Sequence, residues 1–371
     1  MAIQPNLVRL LESLRRAWPG GRTVGDLARE LDVQPWRVAE LIGRCEPLGI
    51  MLDQSGPAVR LDPATLPLKA ELIELGGEGR RIGRSVIVFA SASSTNDIAW
   101  QAADRRESDG LVVVAETQTA GRGRQGRAWL DQPGANLLFS VLLLDRPREE
   151  GLANRLVMAA SVAIAEAIGD RLGLQPAIRW PNDLYLNGRK FAGILLESRQ
   201  PPAAASPAAK AGRPGVDVVL GVGVNCNWPT DGLPDLIRYS ATSLSAELSG
   251  PVDRTDLLRA MLSRLEHWLV GGLDENGEER RGQSPFSQTA KKKGTVPFSA
   301  GDDSAAGLDR LHREYLARLD PQARRVRLHY DRQIIEGTVR DVDPLVGLMV
   351  QLSGGGIAHF QPAQVSVEWL G

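Results

Sequence analysis

The chain has 371 residues, of which 43% are hydrophobic and 24% charged, with a net charge of −1; that is more sequence than one core serves, so two or three domains are expected. The balanced charge gives no global pull toward nucleic acid or a membrane surface, and the two cysteines, Cys45 and Cys226, stand far apart without a CxxC or Cys/His cluster, so neither a disulfide framework nor a zinc site is suggested. No apolar run reaches about 18 residues and no secretory pattern opens the chain, so no membrane span is expected and the cytoplasm is the expected location.

Residues 1–62 read as helical, with apolar positions at Leu7, Leu10, Leu11 and Leu14 and a break at Pro19-Gly20-Gly21. Thr23 is placed to cap a short helix through Leu31, Asp32-Val33 makes a turn, and Gln34 to Cys45 forms a second helix. With Ile50-Met-Leu and Ala58-Val-Arg-Leu as wing strands, this is the pattern of a winged helix-turn-helix. Its recognition helix offers Gln34, Arg37 and Arg44 beside Glu40, and the module carries as many acids as arginines, a poor match to phosphate. DNA binding and a structural or partner-docking role both stand open for it.

Residues 63–84 form a linker with Pro63, Pro67 and Gly76-Gly77. From 85 to about 270 the pattern is α/β. Strands fall at Val86–Phe89, Leu111–Ala115, Leu137–Leu144 and Val216–Val224, with helices opening at Ser93, spanning Leu152–Leu172 and spanning Arg254–Leu269. Asn187-Gly188 between two apolar runs signals a hairpin that lifts Lys190 to the start of its second strand. Residues 199–215 read as a mobile loop, and 271–305 as a low-complexity insertion with Lys291-Lys-Lys293 and the echo Ser284-Pro-Phe-Ser and Val296-Pro-Phe-Ser. From 324 to 371 four or five short strands suggest a small SH3-like β-barrel. The expected fold is therefore an α/β (α+β) catalytic domain with a mixed sheet, flanked by an N-terminal winged helix and a C-terminal SH3-like barrel.

Gly121-Arg-Gly-Arg-Gln-Gly-Arg127 contains a literal G-x-G-x-x-G after a strand. In a dinucleotide fold that loop must open a helix whose N-terminus holds a pyrophosphate. Here Pro133-Gly134 interrupts the chain before the next strand, leaving no room for a packed helix, and a Walker loop fails for want of Gly-Lys-Ser/Thr. What remains is a flexible loop with three guanidinium groups, suited to an anion.

Ser94-Thr95-Asn96, Gln118 through Arg127, Arg179-Trp-Pro-Asn-Asp183 with Lys190, and Gly221 to Asn227 together resemble the motifs of the biotin protein ligases. The resemblance runs from about Ser85 to Leu370, and the N-terminal module extends it to the family's long, bifunctional form. It implies that biotin and ATP give biotinyl-5′-adenylate and pyrophosphate, after which a lysine of a biotin carboxyl carrier protein attacks the mixed anhydride. Mg²⁺ would accompany ATP, and no protein metal cluster is visible. The long form also implies operator DNA and a homodimer as further partners, and no membrane.

Under that chemistry biotin's carboxylate and ATP's α-phosphate repel each other, so fixed cations are needed. The resemblance makes Lys190, Arg124 and Asp183 the catalytic residues, with Lys190 a point charge between the two anions and Asp183 orienting the incoming lysine. Only six of the 44 basic residues are lysine, so a lysine here suggests that a compact ammonium matters. Biotin binding is implied for Ser94, Thr95, Asn96, Gln118, Arg122, Gly123, Arg124 and Lys190, and nucleotide binding for Arg122, Arg124, Arg127, Trp129, Asn182 and Asn225, with Asn227 nearby. Arg179 departs from the family, which often carries lysine before the Trp-Pro-Asn-Asp motif. The rival readings are a lipoate ligase, which also makes an acyl-adenylate, a ligand-sensing DNA-binding repressor, and a nicotinamide oxidoreductase.

Overall fold

The computed structural model describes residues 3–149, 151–201, 215–270, 302–320 and 325–370. Most of the expected mobile loop, residues 202–214, and of the low-complexity insertion, through residue 301, lies outside the described residues.

At the N-terminus α1 (Pro5–Arg16), α2 (Val24–Leu31) and α3 (Pro35–Gly43) enclose a core of their own with Leu10, Leu14, Leu27, Val38 and Leu41. The Thr23 hydroxyl accepts from the Asp26 N–H at 3.1 Å and so caps α2, while Asp32 turns the chain in the left-handed region at φ 56°. The strand expected at Ile50–Leu52 does not form. Instead β1 (Arg22–Thr23) takes the antiparallel place beside β2 (Ala58–Val59), Ile50 is buried in the helical core, and only the Asp53–Arg60 bridge joins the two sides of the turn.

After α4 (Ala70–Glu74), strands β3 (Val86–Phe89), β4 (Val112–Ala115), β5 (Leu137–Pro147), β6 (Ala177–Arg179), β7 (Asp183–Leu186), β8 (Arg189–Arg199) and β9 (Gly215–Val224) build a seven-stranded sheet in the order β3-β4-β5-β9-β8-β7-β6. Only β3 and β4 are parallel, so the sheet is mixed. Helix α5 (Thr95–Ala102) covers one face; α6 (Leu152–Leu172) covers the other, and after α7 (Leu244–Leu248) α8 (Arg254–Leu269) packs on α6. Strands covered on both faces read as continuous apolar runs: Val112 and Val114 point to the α6 side and Val113 to the α5 side. By length and composition α6 could cross a membrane, but 78% of its most apolar window is buried inside the protein, so it is a core helix.

Helix α9 (Asp302–Ala317) lies on α6 and leads to a second, five-stranded antiparallel sheet of β10 (Arg325–Tyr330), β11 (Gln333–Asp343), β12 (Gly347–Leu352), β13 (Ile357–Phe360) and β14 (Val365–Trp369), in the order β13-β12-β11-β10-β14. The run Ile357–Glu368 is two strands because Pro362 opens a turn between them. Both sheets share one core, from Leu68 through Val365.

The N-terminal helices are held to α8 by charge. Glu12, 5% exposed, pairs with Arg15 at 2.9 Å and with Arg259 at 3.0 Å, and Arg15 reaches Asp253 at 2.5 Å. Burial alone would raise the Glu12 carboxyl, but Arg15 and Arg259 outweigh it and hold it at about 2 against an ordinary 4.5. A depressed folded-state value contributes stability that is present above the unfolded value and lost as the pH falls. Glu12→Gln should therefore lower the unfolding free energy at neutral pH by on the order of 3 kcal/mol. In urea titrations parent and variant should converge as the pH drops from 4.5 toward 2; a gap that stays constant over that window would remove Glu12 as its source.

Candidate active site

The site lies where β3 and β4 hand the chain to two loops above β8 and β9. Ser94 is the N-cap of α5 in backbone conformation, yet its side chain makes no cap hydrogen bond. The free Thr95 N–H is met instead by Gln118 Oε1 at 2.8 Å, across the Ala92–Gln118 bridge that continues the β3–β4 pairing. The helix start and the segment after β4 are thereby locked together, and Ser94, Thr95 and Asn96 are buried at the rim of a narrow cleft.

The glycine-arginine loop is a tight hairpin and not the start of a helix. Trp129 N–H donates to Gly121 O at 2.9 Å, Arg122 and Ala128 form an antiparallel bridge, and Gly123 N–H donates to Arg127 O at 2.7 Å. Its tip turns through left-handed Gln125, φ 56°, and Gly126, φ 72°. The loop ends by laying the Trp129 indole on the sheet. Gly193 of β8 and Gly223 of β9 are register partners, and a Cβ at Gly223 would stand 2.5 Å from Trp129 Cε2, and one at Gly193 3.0 Å from its Cζ3. Only a backbone bare of side chains admits the ring there.

Lys190 enters the same place from the β7–β8 hairpin, whose Asn187 and Gly188 both take positive φ. Its ammonium stands 2.6 Å from Asp183 Oδ1 and 5.5 Å from the centre of the Trp129 ring. Asn182 donates to Ile194 O at 2.6 Å and receives Arg124 at a long 3.5 Å. Arg124 also donates to the carbonyl of Pro362, so the turn between β13 and β14 reaches the loop. Burial lowers the Arg124 pKa, partly countered by Asp183 and reinforced by Arg127. Arg122 is gripped by Asp97 at 2.6 and 2.9 Å with Glu197 at 3.5 Å; that hydrogen bonding, against the opposing effect of burial, raises its pKa.

Ser94, Thr95, Asn96, Gln118, Arg122, Trp129, Asn182 and Lys190 line the cleft together, and Arg124 and Asp183 touch members of that set. Arg127 lies outside the lining with an exposed side chain, and Gly123 contributes only the loop's backbone. Asn225 holds the Thr242 carbonyl at 3.0 Å and Asn227 brackets Val252, so both stabilise loops beside the cleft. Arg179 turns away: it pairs with Asp320 at 2.6 Å and lies 4.0 Å over the Tyr185 ring. Residues the spacing did not single out are Asp97, Glu197, Gly193 and Pro362. Among the described residues no group of three or more His, Cys, Asp or Glu could hold a metal ion.

Along β8 and β9 the Gly221–Leu195 rung carries Asn96, and the Gly223–Gly193 rung, two residues on, carries Trp129 and Lys190. Two strand residues span about 7 Å. The cleft thus sets a neutral hydrogen-bonding side chain at one rung and an indole with a single ammonium at the next, an arrangement for a ligand with a polar uncharged head and an anionic tail. Buried polar atoms without a protein partner, Asn96 Nδ2 and Trp129 Nε1, belong to residues of this same cleft.

Residues 88–206, which hold most of this cleft, match the model of the biotin/lipoate A/B protein ligase family. The chain is 31% identical over 242 residues to the biotin–[acetyl-CoA-carboxylase] ligase of Mycobacterium tuberculosis, covering 64% of this chain and 82% of that protein. It is 34% identical over 191 residues to the bifunctional ligase/repressor BirA of Bacillus spizizenii, covering 51% of this chain and 55% of that relative, so the chain spans only about half of that relative's length. Its fold is similar to the biotin protein ligase of Aquifex aeolicus in complex with biotin and ATP, with a TM-score of 0.54, 22% identity, and coverage of 77% of this chain and 99% of that one. The chain belongs to the biotin/lipoate A/B protein ligase family, among the biotin protein ligases.

If the bare Gly193–Gly223 rung is what seats the loop, Gly223→Ala should unseat it. Limited trypsin digestion should then cut after Arg124 and Arg127 several-fold faster in the variant than in the parent, and equal cutting rates would mean that Trp129 does not anchor the loop.

Proposed function

We propose that the chain joins biotin to a lysine of a biotin carboxyl carrier protein by way of biotinyl-5′-adenylate, in the cytoplasm. The observation that carries this is the placement of Lys190 one rung from the hydrogen-bonding pocket of Ser94, Thr95, Asn96 and Gln118. In this reading the pocket holds biotin's ureido ring, and its carboxylate reaches Lys190. ATP's α-phosphate arrives from the Arg124 and Asn182 side, with Trp129 against the nucleotide. Lys190 then exchanges its contact with Asp183 for the two substrate anions, and Arg122 and Arg124 close over them.

A carboxylate oxygen attacks the α-phosphorus and pyrophosphate leaves. In the second step the carrier lysine's amine attacks the acyl carbon, AMP departs, and Asp183, released from Lys190, orients the amine. The loop retains the anhydride between the two steps. Mg²⁺ would travel with the phosphates; among the described residues no group of three or more His, Cys, Asp or Glu could hold it.

The three N-terminal helices with β1 and β2 are proposed as a winged helix-turn-helix and the C-terminal sheet as an SH3-like barrel, the organisation of a ligase that also represses transcription. A structural role for the N-terminal module is favoured by one observation. Arg37 and Arg44 of the recognition helix both pair with Glu40, which puts a carboxylate where a phosphate would have to approach them. A gel shift with DNA from upstream of its own gene, with and without biotinyl-adenylate, decides between the two roles: a shift at low salt that depends on the adenylate supports the repressor, and no shift at low salt leaves the N-terminal domain a non-DNA module.

The ligase reading is tested by pyrophosphate exchange into ATP. Biotin should drive exchange and lipoate should not; the reverse would make the protein a lipoate ligase. Lys190→Ala should cut biotin-driven exchange by on the order of 100-fold or more. Arg124→Gly should keep adenylation but release the anhydride, seen as biotin on the lysines of a bystander protein; retention equal to the parent's would end the closing-loop model.

A further inference from the structure

One polar side chain beneath the cleft has no place in this scheme. Ser140 sits inside the apolar run Leu137–Leu144 of β5 and is completely buried. Its neighbours Leu142 and Leu144 pack in the core under α5, so strand alternation turns Ser140 to the same face. A hydroxyl in such surroundings must find a partner. Ser140 Oγ lies 2.6 Å from Asn96 Oδ1 and 2.7 Å from Thr95 Oγ1. An amide oxygen can only accept, so Ser140 donates to Asn96; the Thr95 hydroxyl lies beside it as a second acceptor within reach and turns its own proton toward Gln118 Oε1 at 3.2 Å.

The same amide oxygen is confined from the sheet. A Cβ at Gly221 would stand 2.3 Å from Asn96 Oδ1, so the amide fits only because that residue is glycine. With its oxygen so held, Asn96, 3% exposed, keeps Nδ2 without a protein partner, and Asn96 lines the cleft.

We propose that Ser140 is a positioning residue which, together with the bare Gly221, fixes the Asn96 amide with its N–H donors facing the cleft, and that this clamp selects a ligand whose ring carries a carbonyl acceptor. The proposal rests on the biotin reading above and deepens it. Biotin's ureido carbonyl is such an acceptor. The dithiolane ring of lipoate offers none and leaves the donors buried and unpaired, the kind of mismatch that gives a hydrogen-bonding site its strongest discrimination.

The test is calorimetric titration of the full chain with biotin, desthiobiotin and lipoate, run beside biotin-dependent pyrophosphate exchange. Ser140→Ala should weaken both ureido ligands about tenfold and raise KM for biotin by the same factor. It should leave kcat, KM for ATP and the weak binding of lipoate unchanged. Added to Asn96→Ala it should cost nothing more, because Ser140 acts through that amide. Gly221→Ala displaces the amide from the other side and should reproduce the ureido-selective loss with Ser140 intact, which keeps the proposal open to refutation if Ser140→Ala folds poorly. Asn96→Asp keeps the shape without a donor and should bind biotin as weakly as Asn96→Ala. Equal losses for biotin and lipoate, additivity with Asn96→Ala, or retained affinity in Asn96→Asp would each overturn the clamp. A parent that binds neither ureido ligand would overturn the biotin reading itself; a parent that binds biotin, with Ser140→Ala indifferent, overturns the clamp alone.

Discussion

Side chains are missing from one stretch of sheet, and the site is built on that gap. Gly193, Gly221 and Gly223 bring the backbone of β8 and β9 to the surface at two successive rungs. Asn96 can then approach to where a methyl group would collide with it, and Trp129 can lie flat where a methyl would be driven into its ring. Glycine inside a strand costs conformational entropy and forgoes packing. The flanking strands supply the compensation: β5 and β9 are paired over almost their whole lengths, and alternate residues fill a core on each face. The two ends of the cleft, neutral and cationic, follow from what each bare rung lets in.

Electrostatics supplies a second constraint. Two cations at the cleft already have acid partners, Lys190 with Asp183 and Arg122 with Asp97 and Glu197, while Arg124 leans on neutral carbonyl oxygens and feels burial most. A cluster of bare cations would repel itself; pairing keeps the cleft near neutrality, with partners that an anion can exchange. The exposed pairs are individually weak, so exchange costs little. Arg124 is the exception, since its partners are fixed backbone and amide oxygens and its burial is already accomplished.

Much of this was legible in the sequence because it is local. Asn187-Gly188 specifies a tight hairpin through backbone preference alone, and the position of Lys190 follows from it. The rejection of a dinucleotide loop also rested on local grounds, the absence of a helix before Pro133-Gly134, and the loop is a hairpin. What spacing could not supply are contacts made at long range. Asp97 lies 25 residues from Arg122, and Pro362 lies 238 from Arg124. Ile50–Leu52 has a strand's composition, yet β1 occupies the edge it would need. Ser140 left one readable trace, a lone hydroxyl in an apolar strand, which an uncovered or an unused strand position would equally produce.

The N-terminal helices meet the seven-stranded sheet through the same helix that buttresses the loop after β4. At the start of α8, Asp253 takes Arg15 from α1, while the adjacent Arg254, 2% exposed, holds Glu116 at 2.6 Å and the Asn136 carbonyl at 3.0 Å. Glu116 in turn accepts the Leu68 N–H at 2.6 Å, and two residues beyond it Gln118 holds the start of α5. Arg254 cannot shift without stranding a buried charge, so the links are stiff rather than hinged. A chain of fixed contacts is not by itself a switch: coupling requires an element with two arrangements that both ends bias. The loop seated by Trp129 is the least anchored element on this path, since it rests on the sheet through one aromatic ring and a few polar contacts. Any communication between the N-terminal module and the cleft would therefore act on how firmly that loop is seated, through Glu116 and the Thr117–Asp131 contact at 2.8 Å that joins the two ends of the loop.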